Sequence, residues 1–154
     1  MTPLTPSRPV ELDTSLWRYA QTLYRRQGVS SACLELQSRI GLDVCVLIFA
    51  LYATHGHRAL SPEALANADE GLKAWREQVV LPLRQIRQAM KLGVHEVGSE
   101  LNSWVREQVK ITELSAEQVA LAYLDRQIVC LPHANESQDM HLRGFERTLQ
   151  CVLT

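Results

Sequence analysis

Five basic side chains have the types and spacing in this sequence that most resemble a recognition site. They lie in a segment predicted to be helical, and at about 100° per residue they fall within an arc of about 80°. They are Lys73, Arg76, Arg84, Arg87 and Lys91. This basic flank could meet an acidic helix, a phosphate group or a nucleic-acid backbone. It could equally be a solvated face, partly neutralised by nearby acids, or it could dock on the acidic C-terminal part of the chain.

The charge distribution favours a protein partner over nucleic acid. The net charge is −1, but residues 1–92 carry 11 Lys and Arg against 8 Asp and Glu (+3), and residues 93–154 carry 5 against 9 (−4). Generic nucleic-acid binding usually requires a basic excess over the whole domain. We therefore expect another protein as the partner, and we keep nucleic-acid binding through the basic flank as a second alternative.

The histidines and cysteines do not form a recognisable metal site. His55, His57, Cys130, His133 and His141 lack the two ligand pairs of a structural zinc site. A nucleophilic Cys–His pair could still form in space, since such pairs need not be adjacent in sequence. We predict no metal, no cofactor and no catalytic residues. A pocket near Asp43, His55 and His57, in a small enzyme or a ligand-binding bundle, is the first alternative.

Other chemical signatures are also missing. Asp69-Glu70 is a single acidic dipeptide without a partner one turn along, and the sequence has no glycine-rich phosphate loop and no nucleophile elbow. The four cysteines have no CxxC spacing, and two of them lie in apolar runs, as is typical of a reducing compartment. No segment is long enough to span a membrane. We therefore expect a cytoplasmic protein that does not bind membranes.

The segment that must organise the fold is 43–55. Residues 44–53 are ten consecutive apolar residues, with Asp43 before them as a favoured N-cap and Gly56 after them as a favoured left-handed C-terminal residue. A helix that is apolar all round belongs in the middle of a domain. The pattern predicts a buried central helix, with Phe49 at its centre.

Two long helices are predicted to follow. Ser61-Pro62-Glu63 is a strong helix start, and the apolar positions beyond it are spaced by 3 and 4 without losing phase at Pro82. We predict one helix over 62–91, kinked at Pro82, with two separate helices as the alternative. Residues 99–131 contain no Gly or Pro, which favours one helix, although a capping-box pattern at 115–118 could divide it.

The remaining segments complete an all-α prediction. Pro3, Pro6 and Pro9 indicate a flexible tail over 1–12, before a single helical domain over 13–154. Shorter helices are predicted over 15–27, from the Ser30/Ser31 caps to Ile40, and over 137–152. The class is a compact helical bundle of unknown oligomeric state. The tryptophans lie on or beside apolar stripes, which predicts core packing. A stripe left uncovered and flanked by charge would instead be a partner-helix site.

The N-terminal half resembles a small proteobacterial family of helical proteins of about this length, catalogued as a domain of unknown function. The resemblance rests on Leu16-Trp17, Leu23-Tyr24, Gly28-Val29, residues 32–37, residues 41–44, Leu51-Tyr52, Trp75-Arg76, Val79, residues 82–84 and Arg87, and it covers about residues 14–92. The family often has asparagine where this chain has Cys45. The resemblance implies a soluble bacterial helical protein and implies no activity. Our leading hypothesis is a non-enzymatic interaction or regulatory module that uses the basic flank.

Overall fold

The computed structural model describes residues 10–92 and 98–135, and all regular elements within them are helical. A 3₁₀ turn, Val10–Leu12, precedes α1 (Ser15–Tyr24), α2 (Val29–Ile40), α3 (Val44–His55), α4 (Pro62–Trp75), a π-helical turn (Arg76–Val80), α5 (Leu81–Lys91) and α6 (Ser99–Ile128). The all-α prediction is confirmed. The predicted helix over 137–152 and residues 1–9 of the predicted tail lie outside the described residues. The last three residues of that tail instead form the 3₁₀ turn.

The chain divides into two compact units. The first comprises residues 1–61 and 121–154, and the second comprises residues 62–120. The core of the first unit contains the largest fully buried side chains, which are Phe49, Leu16, Ile48, Leu124 and Val29. In the same unit, the N–H of Leu16 donates to the Asp125 carboxylate at 2.8 Å, which fixes the first turn of α1. The single domain over 13–154 stays a prediction.

The central helix α3 forms as predicted at its start and in its middle. The Asp43 carboxylate accepts hydrogen bonds from the N–H groups of Cys45 at 2.8 Å and Val46 at 3.3 Å, so it caps two of the four N–H groups that lack helical partners. Phe49 is only 1% exposed. Apolar side chains project from α3 on all sides, and most of them are buried inside the first unit.

The end of α3 differs from the prediction. Gly56 has φ −83°, so the expected left-handed glycine is wrong; the left-handed residue is His57, with φ 52°. The reason is that the hydrogen-bonded end falls one residue later, since the N–H of Arg58 donates to the carbonyl of Ala53 at 2.9 Å. Histidine is one of the residues that adopt positive φ more often than most.

Glycines bound α2, whereas α1 lies between the caps Thr14 and Arg25. Predicted to run to Gln27, α1 ends at Tyr24, and α2 begins at Val29 instead of after the Ser30/Ser31 caps. Gly28 and Gly41 have φ 84° and 65°, and this left-handed conformation suits glycine because it has no Cβ. Glycine geometry therefore sets both ends of α2.

The predicted continuous helix over 62–91 is confirmed, with a π-helical turn where we expected the kink. In an α-helix, Pro82 would lack the N–H that bonds to residue 78, and its ring would press on that carbonyl. The wider turn over Arg76–Val80, where the N–H of Leu81 donates to the carbonyl of Arg76, comes directly before this proline. A π turn is a known way to absorb such a discontinuity while the helix continues.

The single long helix is also confirmed. α6 has 30 residues and ends at Ile128, slightly before the predicted residue 131. The capping-box alternative fails because the Ser115 hydroxyl donates back to the carbonyl of Ile111 at 3.0 Å, as in a helix interior.

Candidate functional site

Two arginines of the basic flank are engaged inside the second unit. Arg84 Nε donates to Glu113 Oε1 at 3.0 Å, and Arg84 Nη2 donates to Glu117 Oε1 at 2.7 Å. Arg87 donates two hydrogen bonds to the same Glu113 carboxylate, from Nε to Oε2 and from Nη2 to Oε1, the latter at 3.2 Å. Glu113 and Glu117 are one helical turn apart, so they present their carboxylates on one face of α6. The four side chains join α5 to α6.

Burial makes this ion cluster different from a surface salt bridge. The Glu113 side chain is 7% exposed, and those of Arg84 and Arg87 are 17% and 24% exposed. Burial alone would raise the pKa of Glu113, but the hydrogen bonds from Arg87 and Arg84 outweigh it and hold that pKa below its usual value. Burial likewise opposes the charge of Arg84, and Glu113 and Glu117 raise its pKa. Glu113, Arg84 and Arg87 are therefore ionised near neutral pH.

Of the other three cations of the basic flank, Arg76 is as covered as Arg87, and the two lysines are exposed. Arg76 Nη1 bonds to the Asp69 carboxylate at 2.7 Å. Lys73 lies 4.0 Å from Glu70, with both side chains more than half exposed. Lys91, in the last turn of α5, is exposed. The basic flank is thus divided into three arginines paired with carboxylates and two exposed lysines, and its role in partner binding stays a prediction.

Further polar contacts hold α6 to the joined helix. Trp75 Nε1 donates to the carbonyl of Ala116 at 2.9 Å, and Asn102 Nδ2 donates to the carbonyl of Met90, also at 2.9 Å. Asn102 and Glu113 are buried although they are polar. Such buried polar groups are tolerated because each has a hydrogen-bonding partner. In the second unit, α6 therefore turns a largely polar face inward.

The opposite face of α6 exposes several large apolar side chains among polar ones. Trp104 is 66% exposed, and the other large apolar side chains on this face are also exposed. They are Leu101, Val105, Ile111 and Leu114. At about 100° per residue, Asn102 and Glu113 lie about 160–180° from Trp104, so the two faces are opposed. The expected core position of Trp104 is wrong and Trp75, at 36% exposure, is not buried either, whereas Trp17 is buried as expected.

Five exposed residues along this side of α6 have coiled-coil spacing. Leu101, Trp104, Gln108, Ile111 and Ser115 are separated by 3, 4, 3 and 4 residues, and all five are exposed. We call these five residues the α6 seam. This spacing is that of the a and d positions of a heptad, which pack against a second helix. A polar residue at one such position, here Gln108, is a known device that fixes register.

Acidic side chains border the α6 seam on one side. In the heptad, Glu100 and Glu107 occupy g positions, next to the seam, and both are exposed. Glu107 also accepts a hydrogen bond from Lys110 at 3.2 Å, in a pair whose side chains are 60% and 53% exposed. From the sequence, the tryptophans are predicted to pack in the core, with a partner-helix site as the alternative for an uncovered stripe. Gln108 and Ser115, polar residues within the α6 seam, were the available signal against core packing.

The structure does not bring Asp43 together with His55, two of the three residues of the alternative pocket. Asp43 caps the start of α3 and His55 is in its last turn, about 18 Å away along the helix axis. His55 packs against the ring of Tyr19, with ring centroids 5.7 Å apart. This separation counts against one small site that includes both Asp43 and His55. Across residues 10–92 and 98–135, no three His, Cys, Asp or Glu side chains are arranged to hold a metal ion.

The fold and the α6 seam define an all-helical protein with one apolar helix face left uncovered by the residues that the structure describes. The chain belongs to the family described as Protein of unknown function (DUF2390), whose sequence profile matches residues 15–124. The match extends beyond the N-terminal half that carried the resemblance. No curated protein and no solved structure matches the chain. Within the described part of the chain, no helix is both long enough and apolar enough to cross a membrane.

Proposed function

We propose that this chain is a protein-interaction module, and that the α6 seam docks an amphipathic helix of a different protein. The carrying observation is the orientation of α6, which turns Asn102 and Glu113 inward and leaves Trp104 and Ile111 exposed. A helix that buries polar side chains and exposes several large apolar ones has the pattern expected of a docking surface.

The exposed area provides a substantial driving force. Full burial of a large apolar side chain is worth about 1.5–3 kcal/mol. With five such residues about half exposed on this face of α6, docking would gain on the order of 5 kcal/mol before the cost of association. Trp104 is the natural anchor, since tryptophan dominates the energetics of many interfaces.

The charges beside the seam favour a partner other than a second copy of this chain. In an antiparallel pair of α6 helices, g positions face each other, so Glu107 would lie near its own symmetry mate. In a parallel pair, g positions face e positions, so Glu100 and Glu107 would meet Val105 and Thr112. Neither arrangement pairs the acids. A partner helix with Lys or Arg at the facing positions pairs both.

The basic flank is a weaker candidate for the partner-binding surface than the α6 seam is. Arg84 and Arg87 are already bound to Glu113 and Glu117, so docking an acidic partner on them would require breaking a largely buried cluster. Nucleic-acid binding meets the same obstacle, because three of its five expected cations are paired with carboxylates. Lys73 and Lys91 are the exposed cations of that surface.

The proposal is tested by site-specific photo-cross-linking and charge reversal. A photoreactive amino acid replaces Trp104 in cells that produce the chain, and the cross-linked partner peptide is identified by mass spectrometry. The matched control carries the same group at Leu34, which is 61% exposed on α2. We expect a partner peptide that forms a basic amphipathic helix and cross-links from position 104 and not from position 34.

The synthesised partner helix then gives the decisive readout. Glu107→Lys should weaken its binding about tenfold, which corresponds to about 1.4 kcal/mol, and a Lys→Glu change in the partner should restore it. A dominant cross-link to a second copy of this chain would overturn the proposal that the partner is a different protein. An affinity unchanged by Glu107→Lys and by the Lys→Glu change in the partner would overturn the placement of the partner on the α6 seam.

A further inference from the structure

A cavity of about 260 Å³ lies among α1, α2 and α3 in the first unit, away from the α6 seam. Aliphatic side chains from all three helices line it, among them Leu23, Leu36, Leu47 and Leu51. The cavity is partly open to solvent, so it is an accessible pocket beside the central helix and not a sealed void in the core. A small molecule can therefore enter it from solution.

The size and lining of the cavity restrict what it can hold. An apolar cavity of about 150 Å³ stays dry and binds benzene. On that scale, a cavity of about 260 Å³ suits a molecule with roughly ten non-hydrogen atoms. It is slightly smaller than the pockets of about 300 Å³ and above that hold drug-sized ligands. The lining offers water few hydrogen-bonding partners, so a compact apolar ligand fits it better than water does.

The charged residues of the lining determine the polarity of the ligand. Glu35 and Arg39, one turn apart on α2, both line the cavity and bond to each other at 2.8 Å. Their side chains are 58% and 75% exposed, so they lie on its solvent side. The pair has no net charge, yet it offers both carboxylate acceptors and guanidinium donors. A charged ligand would gain no net attraction from this neutral pair, while it would lose solvation among the apolar side chains.

We infer that this cavity is a binding site for a small, uncharged, mainly apolar molecule that carries one hydrogen-bonding group. The apolar body lies against the leucines of the three helices, and the hydrogen-bonding group meets the pair of Glu35 and Arg39. Such a ligand adds to the interaction function proposed above and does not depend on it.

Cys33 is a natural reporter of occupancy. Its side chain lines the cavity and is 6% exposed. Burial raises the pKa of its thiol, an effect that a hydrogen bond with Tyr24 partly offsets, so labelling should be slow. Cys45 is similarly buried at 9% exposure and does not line the cavity. A ligand in the cavity should protect Cys33 beyond any general protection seen at Cys45.

The experiment uses the full chain with 2-naphthol as the probe and 2-naphthoate as its charged counterpart. Binding is measured by calorimetry, and maleimide labelling of each cysteine is followed by peptide mass spectrometry. Ala32→Leu fills the cavity, and Ala32→Val fills less of it and serves if the larger change prevents folding. Ser31→Leu, at an exposed position of the same helix, is the matched control.

We expect 2-naphthol to bind the unchanged chain and to slow the labelling of Cys33 selectively. Its affinity should fall about tenfold in Ala32→Leu and by a smaller factor in Ala32→Val. Ser31→Leu should bind like the unchanged chain. No binding of 2-naphthol to the folded chain would overturn the inference, as would binding that survives both Ala32 variants. Tighter binding of 2-naphthoate would overturn the assignment to uncharged ligands.

Discussion

The ion cluster of the second unit gives the sharpest stability prediction, which is the effect of Glu113→Ala. Glu113 accepts hydrogen bonds from both Arg84 and Arg87 while its side chain is 7% exposed. Removing one partner of a buried ion pair costs about 3–5 kcal/mol, because it leaves an uncompensated charge. Arg84 keeps its bond to Glu117 and Arg87 is partly solvated, so we expect the lower end of that range, about 3 kcal/mol.

Urea unfolding followed by circular dichroism measures this loss. With a urea dependence of about 2 kcal/mol per molar, the midpoint should fall by about 1.5 M. Hydrogen exchange of the α5 and α6 amides should show the loss in the second unit, where these residues lie. Glu113→Gln keeps one acceptor oxygen and should cost less than Glu113→Ala.

Glu107→Ala is the matched control. Glu107 pairs with Lys110 on the surface of the same helix, and both side chains are more than half exposed. An exposed pair of this kind is worth about 0–1 kcal/mol. If Glu113→Ala and Glu107→Ala destabilised the protein equally, the argument that burial makes the cluster important would be refuted.

Three further predictions concern pH, the helix cap and the core. Because the Glu113 pKa is lowered in the folded state, its stabilisation is present above the unfolded pKa of about 4.3 and is lost as pH falls through the folded value. The free energy of unfolding should thus fall more steeply on acidification below about pH 4.3 in the unchanged chain than in Glu113→Gln, and equal slopes would count against this. Asp43→Ala should cost about 0.5–2 kcal/mol in thermal unfolding, because Asp43 caps α3. Glu70→Ala is the control and should cost almost nothing, since Glu70 does not cap a helix. A cost for Asp43→Ala as small as that of Glu70→Ala would contradict the cap. Phe49→Ala should cost about 3–5 kcal/mol in urea unfolding, and a loss below about 1 kcal/mol would show that α3 is not buried as described.

The elements that local chemistry specifies could be predicted from the sequence. Asp43 and the apolar run define α3, and Ser61-Pro62 defines the start of the joined helix. The phase of the apolar stripe across Pro82 was enough to predict continuity. The stripe could not reveal the π turn. There the backbone N–H bonds to the carbonyl five residues earlier instead of four, and no residue type is specific to that change.

The candidate site was harder to predict because it depends on how helices face each other. A stripe on α6 shows that one face is apolar, but the sequence does not show which face a neighbouring helix covers. The bond from Arg84 to Glu113 joins residues 29 positions apart, and it exists only because α5 and α6 align in the second unit. The charges of both residues were visible in the sequence. Their pairing, and the exposure of Trp104 that accompanies it, were not.

The most direct test of the docking proposal is the affinity of the cross-linked partner helix for the chain with and without Trp104. Trp104 is 66% exposed, so Trp104→Ala should leave stability within about 0.5 kcal/mol. An interface anchor is worth at least about 2 kcal/mol, which is a factor of about 30 in the dissociation constant. We predict that calorimetry will show at least this loss for Trp104→Ala and no loss for Leu34→Ala. Equal affinities for the two variants and the unchanged chain would contradict docking on the α6 seam.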